Sequence, residues 1–201
     1  KAVNSVNIHI RQGDIYGLIG RNGAGKTTLL KMISGLATPT EGDFTLFGKK
    51  EKDAYRCLSR VGTLIESPGV YPNMTAADNL KIKCLAMGVR RKNEIEELLE
   101  IVGLSSTGKK KVKNFSMGMK QRLGIALALV GNPDLVILDE PINGLDPQGI
   151  AEVRDTLFRL NRERNITFII SSHILEELSK IATHYGIIHD GVLLQELTRE
   201  E

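Results

Sequence analysis

The sequence has no apolar run approaching the ~18–20 residues that a membrane-spanning helix needs. Its most apolar stretches, Leu135–Leu138 and Ile166–Ile170, are strand length. It also has little net charge: 27 Lys and Arg against 24 Asp and Glu leave +3. Such a balance gives no independent case for nucleic acid or an anionic membrane surface. Cysteine is scarce. Cys57 and Cys84 are the two, with no C-x-x-C spacing, and they read as reduced thiols of a cytosolic protein. Aromatics make up only 4% of the chain. None interleaves with the basic runs Arg90-Arg91-Lys92 and Lys109-Lys110-Lys111 with Lys113, as a platform for stacking bases would require. Those runs therefore read as solvated helix ends and loops. No internal repeat of about 20–50 residues is visible. The chain opens at Lys1 without a methionine or a signal-peptide pattern, already inside a segment that reads as structured. A sequence cut short at both ends is expected.

What is present fits a globular domain with a substantial core: 201 residues, 41% apolar and 25% charged. Val6–Ile10 alternates apolar and polar residues and is predicted as a half-buried strand. Ile15–Ile19 is a second strand running into a glycine-rich turn, and Lys26–Ser34 is a helix ended by Gly35 and Pro39. Phe44–Phe47 and Val61–Ile65 are short strands. From about 75 to 131 the pattern turns helical and charged, with helices predicted at Ile95–Val102 and Met119–Val130. After Pro133 strands return at Leu135–Leu138, Thr167–Ile170, Tyr185–His189 and Val192–Leu194, with helices near 148–164 and 174–182. Alternating strands and helices predict an α/β fold around a largely parallel, helix-covered sheet.

Gly20-Arg21-Asn22-Gly23-Ala24-Gly25-Lys26-Thr27 matches G-x-x-x-x-G-K-[ST], with Thr28 following. The glycines let the backbone curl so that successive N–H groups face phosphate oxygens. The helix that begins near Lys26 adds the positive end of its dipole. Lys26 would reach the β- and γ-phosphates of ATP, and the Thr27 hydroxyl would coordinate Mg²⁺, a hard ion that prefers oxygen. The motif follows a predicted strand and opens a predicted helix, which is the context it needs.

Leu135–Leu138 ends in two carboxylates, Asp139 and Glu140. Ligands sit at the carboxyl ends of buried parallel strands. Asp139 is placed to hold the Mg²⁺, through water, and Glu140 to polarise the attacking water. A second apolar strand runs out at Ser171-Ser172-His173, where His173 is expected to contact the γ-phosphate and that water. His9, His184 and His189 read as packing or surface residues.

On these residues the chain resembles the ABC ATPase family over nearly its whole length. Asn143-Gly144-Leu145-Asp146 is similar to the family's D-loop, and Ser171-Ser172-His173 to its switch-histidine loop. Phe115-Ser116-Met117-Gly118-Met119-Lys120-Gln121-Arg122 stands where the signature sequence belongs. The resemblance implies a P-loop NTPase core with a small N-terminal antiparallel β part, core residues 1–74 and 132–201, and an inserted helical subdomain at about 75–131. It implies a head-to-tail dimer in which Ser116 and Gly118 of one ATPase subunit complete the other's ATP site and Asp146 couples the two sites. It also implies transmembrane permease partners, a place on the cytoplasmic face of the membrane, and no nucleic acid. By position, the resemblance implies that Tyr71, Pro72 and Met74 lie near the groove that in the family receives the permease.

The sequence departs from the family at three places. Met117-Gly118-Met119 replaces Gly-Gly-Gln after the signature serine. Glu66 stands where a glutamine is usual, as a further Mg²⁺ ligand and catalytic-site carboxylate. The aromatic that stacks on adenine belongs upstream of Lys1, which leaves ATP-versus-GTP preference open. Ile65-Glu66-Ser67-Pro68 together with the altered signature resembles the exporter ATPases of bacitracin resistance and lantibiotic self-protection. Two other readings stand beside this one: a soluble ABC ATPase acting on nucleic acid or ribosomes, and a nucleotide-sensing module that does not hydrolyse.

Overall fold

The computed structural model describes the backbone of residues 1–201 and every side chain except that of Glu51. In chain order the elements are β1 (Ile15–Ile19), α1 (Lys26–Ile33), β2 (Thr45–Leu46), β3 (Lys49–Lys50), α2 (Glu51–Arg56) and β4 (Val61–Leu64). Then come α3 (Ala76–Met87), α4 (Glu94–Ile101), α5 (Met117–Leu129), β5 (Leu135–Asp139) and α6 (Pro147–Arg164). The chain finishes with β6 (Thr167–Ser172), α7 (Leu175–Ser179), β7 (His184–His189) and β8 (Val192–Thr198).

β5 and β6 are buried along their whole length, as inner strands with both faces covered must be. The main sheet runs β4-β5-β6-β1-β7-β8, and β2 and β3 form a separate two-stranded antiparallel sheet. In the main sheet every pair is parallel except β7 with β8. Strand alternation sends side chains to opposite faces, and each face has its own core. Val136, Leu138, Phe168 and Ile170 point into one core, with residues of α3 to α7. Leu135, Ile137, Tyr16 and Leu18 point into the other, with Leu29 and Leu30 of α1. The fold expected from the alternating pattern is therefore the one observed.

Between β4 and β5 the chain is helical. α3 starts at a reciprocal cap: Asp78 N–H donates to Thr75 Oγ1, and the Thr75 N–H and hydroxyl donate to Asp78 Oδ2. The Thr75 hydroxyl, then its N–H, hold the Asp78 carboxyl below its ordinary pKa. This cap is complete above the usual carboxylate range and is lost as pH falls through the lowered value. α5 begins two residues before the predicted start because Ser116 caps it, its Oγ accepting from Met119 N at 3.2 Å.

Val6–Ile10 is a correction. Its alternation is real in packing, since Val6, Ile8 and Ile10 lie against the second core. It forms no strand. The His9 N–H goes to the Glu196 side chain at 3.2 Å rather than to a strand carbonyl. Side-chain periodicity reports which residues face the core, whereas a ladder also needs a backbone partner.

Candidate active site at the carboxyl ends of the strands

The glycine-rich segment closes tightly between β1 and α1. A Cβ at Gly20 would lie 2.4 Å from the carbonyl oxygen of Ile188, and Gly25 has φ 102°, so neither position accepts an ordinary side chain. Ala24 points into the core beneath the loop, while Arg21, Asn22 and Gly23 are exposed and Thr28 is half-buried. Lys26 opens α1 and is only 5% exposed. Its ammonium donates to the carbonyls of Gly20 at 2.7 Å and Arg21 at 3.2 Å.

Strand register assembles the rest. Asp139 lies opposite Ser171 on the paired strands β5 and β6. The Ser171 hydroxyl donates to Asp139 Oδ1 at 2.5 Å and accepts from the Glu140 N–H at 2.9 Å. The other oxygen of Asp139, Oδ2, accepts from the Thr27 hydroxyl at 2.8 Å. Glu140 turns out of the strand with φ 49°, a left-handed backbone that disfavours a long side chain and persists only where its surroundings impose it. That turn lets Glu140 Oε2 meet His173 Nδ1 at 2.8 Å. Glu140 Oε1 is buried and lies 3.2 Å from Lys26 Nζ, an ion pair without hydrogen-bond geometry.

Lys26, Thr27, Asp139, Glu140 and His173 are thus brought together. Ser116 and Gly118 are not: among the described residues neither bonds to the phosphate loop. A Cβ at Gly118 would face Leu145 Cδ2 at 3.6 Å, which sets the signature segment beside Asn143–Asp146. Asp146 caps α6, its Oδ1 accepting from Gly149 N at 3.1 Å. Glu66 makes its contact outside the cluster, with Lys31 Nζ at 2.5 Å.

The donor set suits a magnesium nucleotide. Thr27 and Asp139 offer hard oxygen atoms, a buried ammonium waits on replaceable carbonyl partners, and a buried carboxylate oxygen has an acceptor site free. Residues 3–143 match the ABC transporter family. The chain belongs to that family. Among its relatives in the ABC family is the bacitracin transport ATP-binding protein BcrA of Bacillus licheniformis, 54% identical over 98% of this chain and 65% of the relative. Another is the lantibiotic transport ATP-binding protein SrtF of Streptococcus pyogenes, 44% identical over 96% of this chain and 83% of the relative. The chain spans just under two thirds, 65%, of the bacitracin transport proteins it matches. Among solved ABC structures, the dimeric post-hydrolysis state of the ATP-binding cassette MJ0796 bound to ADP and Pi is 25% identical. It superposes with a TM-score of 0.87, covering 98% of this chain and 90% of that one.

Ser171 escaped the sequence reading as a site residue. The available signal was its place at the end of an apolar strand, level with the Asp of a neighbouring one. Ser171→Ala strips Asp139 and the Glu140 N–H of a partner at once. The variant is expected to fold with about 1–3 kcal/mol less stability, measured by urea unfolding, and to turn over more slowly because Glu140 loses its anchor.

Proposed function

We propose that the protein is the ATP-hydrolysing subunit of a bacterial exporter for peptide antibiotics of the bacitracin or lantibiotic type. The observation that carries the chemistry is Glu140: one carboxylate oxygen is fixed by His173, and the other is buried and unbonded beside Lys26. The transport proteins it resembles support the class of cargo, and nothing in them favours a nucleic-acid or purely sensing role.

In this reading ATP lies along Gly20–Thr28. Lys26 exchanges the Gly20 and Arg21 carbonyls for β- and γ-phosphate oxygens, and the loop N–H groups and the start of α1 take the others. Thr27 and Asp139 would hold Mg²⁺, which would neutralise phosphate charge during transfer. Glu140 Oε1 orients the attacking water and takes its proton as the water oxygen bonds to the γ-phosphorus and the bond to the β-phosphate oxygen breaks. His173 keeps Oε2 occupied, so that Oε1 faces the water. Ser116 and Gly118 complete the site of a second copy, with the N-terminus of α5 as the anion-binding end, and Asp146 couples the two sites. Residues of about 75–131 form the helical subdomain, and the core of 1–74 and 132–201 carries the phosphate loop. Permease subunits hold the protein at the cytoplasmic face of the membrane.

The test is expression of the protein with its own permease subunits in a bacterium sensitive to bacitracin and a lantibiotic. Resistance should rise with the native protein and fall to background with Glu140→Gln at equal protein level. Unchanged sensitivity to both classes with the native protein assembled in the membrane would reject the assigned cargo.

A further inference from the structure

Lys31 was not among the residues singled out in the sequence, yet it pairs with Glu66, a site candidate that bonds outside the cluster. β4 and β5 are parallel neighbours with Leu64 level with Leu138. Two residues beyond this last pair stand Glu66 and Glu140. Both residues leave their strands in a left-handed conformation, φ 64° at Glu66 and φ 49° at Glu140. Two carboxylates therefore follow the ends of adjacent strands. α1 supplies a lysine to each. Lys26 Nζ is 3.2 Å from Glu140 and Lys31 Nζ is 2.5 Å from Glu66. Lys31 also follows Thr27 by four residues, so the two share a side of α1 roughly 6 Å apart along its axis.

We propose that Lys31 is a positioning residue whose ammonium neutralises Glu66, so that the bound nucleotide meets an ion pair there and not a bare carboxylate. The inference rests on the reading of Gly20–Thr28 as the nucleotide loop. Glu66 by itself is a charge of the wrong sign at the rim of a site built for a polyanion. Paired with Lys31 it is electrically neutral but still a strong acceptor. In that reading the γ-phosphate would lie nearest the strand ends and would feel the difference most, whereas a diphosphate would end short of them. Because Glu66 is 63% exposed and Lys31 35%, the effect is partly screened by water and responds to salt.

The experiment is a double-mutant cycle on the purified protein, reading affinity with fluorescent ATP and fluorescent ADP in the presence of Mg²⁺. Wild-type binding is measured first: if it fails, the nucleotide reading itself is wrong, which separates that failure from this one. Lys31→Met is expected to weaken ATP affinity roughly tenfold at low salt and ADP affinity less than about twofold. The ATP penalty should shrink in high salt. In Lys31→Met/Glu66→Gln, where both charges are gone, ATP affinity should return to about that of wild type. The idea is overturned if Lys31→Met binds ATP as wild type does, or if the double variant stays as weak as Lys31→Met. Should Lys31→Met not fold, the double variant against wild type decides: similar ATP affinity supports the pairing, and a tenfold loss refutes it.

Discussion

Glu140→Gln should reduce ATP turnover by at least about a hundredfold, the usual range for removing a positioned general base, while ATP affinity stays within about threefold. The asymmetry follows from the geometry. Glutamine keeps the shape of the side chain, and the Glu140 main-chain bond to Ser171 is untouched. One amide oxygen or nitrogen can still meet His173. What disappears is the anionic oxygen that lies buried, unbonded and beside Lys26. Binding uses the loop and Lys26, so it survives. A rate measured under saturating ATP, beside a binding titration, separates the two. His173→Ala should cost less than Glu140→Gln, because it releases the second oxygen of Glu140 without discharging the first.

Lys26→Ala has the opposite signature: it should abolish binding first. Lys26 is a buried cation whose ammonium is held on two carbonyls that phosphate oxygens would replace. Hydrogen bonds to a charged group are worth about 1.5–3 kcal/mol each. Losing two of them corresponds to at least a hundredfold in affinity, at roughly 1.4 kcal/mol per decade. The substitution also leaves the Glu140 carboxylate facing the site without its counter-charge, which repels the nucleotide further. Thermal unfolding checks this without any activity assay. Added ATP and Mg²⁺ should raise the melting temperature of the wild type through linkage and leave that of Lys26→Ala where it was.

Both variants touch residues that could be read from the sequence, and the reason is local. The phosphate loop is a contiguous string in which each glycine answers to a backbone requirement, so its chemistry is written in order. Asp139 and Glu140 were legible because an apolar run ends in them. His173 was legible because its own strand should lie beside theirs. Ser171 was not, although it joins Asp139 to Glu140, because its role exists only once β5 and β6 are in register. Lys31 was hidden for the same reason: a lysine in a helix carries no signal until β4 delivers Glu66 to it. The sheet order was foreshadowed only as a class, parallel and helix-covered. The segment Val6–Ile10 shows the converse error, a pattern of burial that does not become a strand because its backbone has no neighbour to bond.

The arrangement of Ser116 and Gly118 carries the central claim that each chain holds half of two sites. Gly118 lies beside the Asn143–Asp146 segment, and among the described residues neither Ser116 nor Gly118 bonds to its own phosphate loop. The most direct measurement mixes two variants in a Glu140→Gln background, which should hold ATP unhydrolysed. One carries Lys26→Ala, and the other carries Gly118→Asp, a change whose Cβ the fold accommodates at ordinary contact distance, 3.6 Å from Leu145 Cδ2 and 4.0 Å from Ser116 Oγ. Alone, each should remain monomeric with ATP and Mg²⁺, because every pairing lacks a complete site. Mixed, they should form a heterodimer retaining a single ATP, contributed by the intact loop of one chain and the intact signature of the other, and visible by light scattering and nucleotide counting. If the mixture stays monomeric while the Glu140→Gln parent dimerises with two ATP, or if the Gly118→Asp chain alone dimerises as the parent does, the two-chain site is wrong.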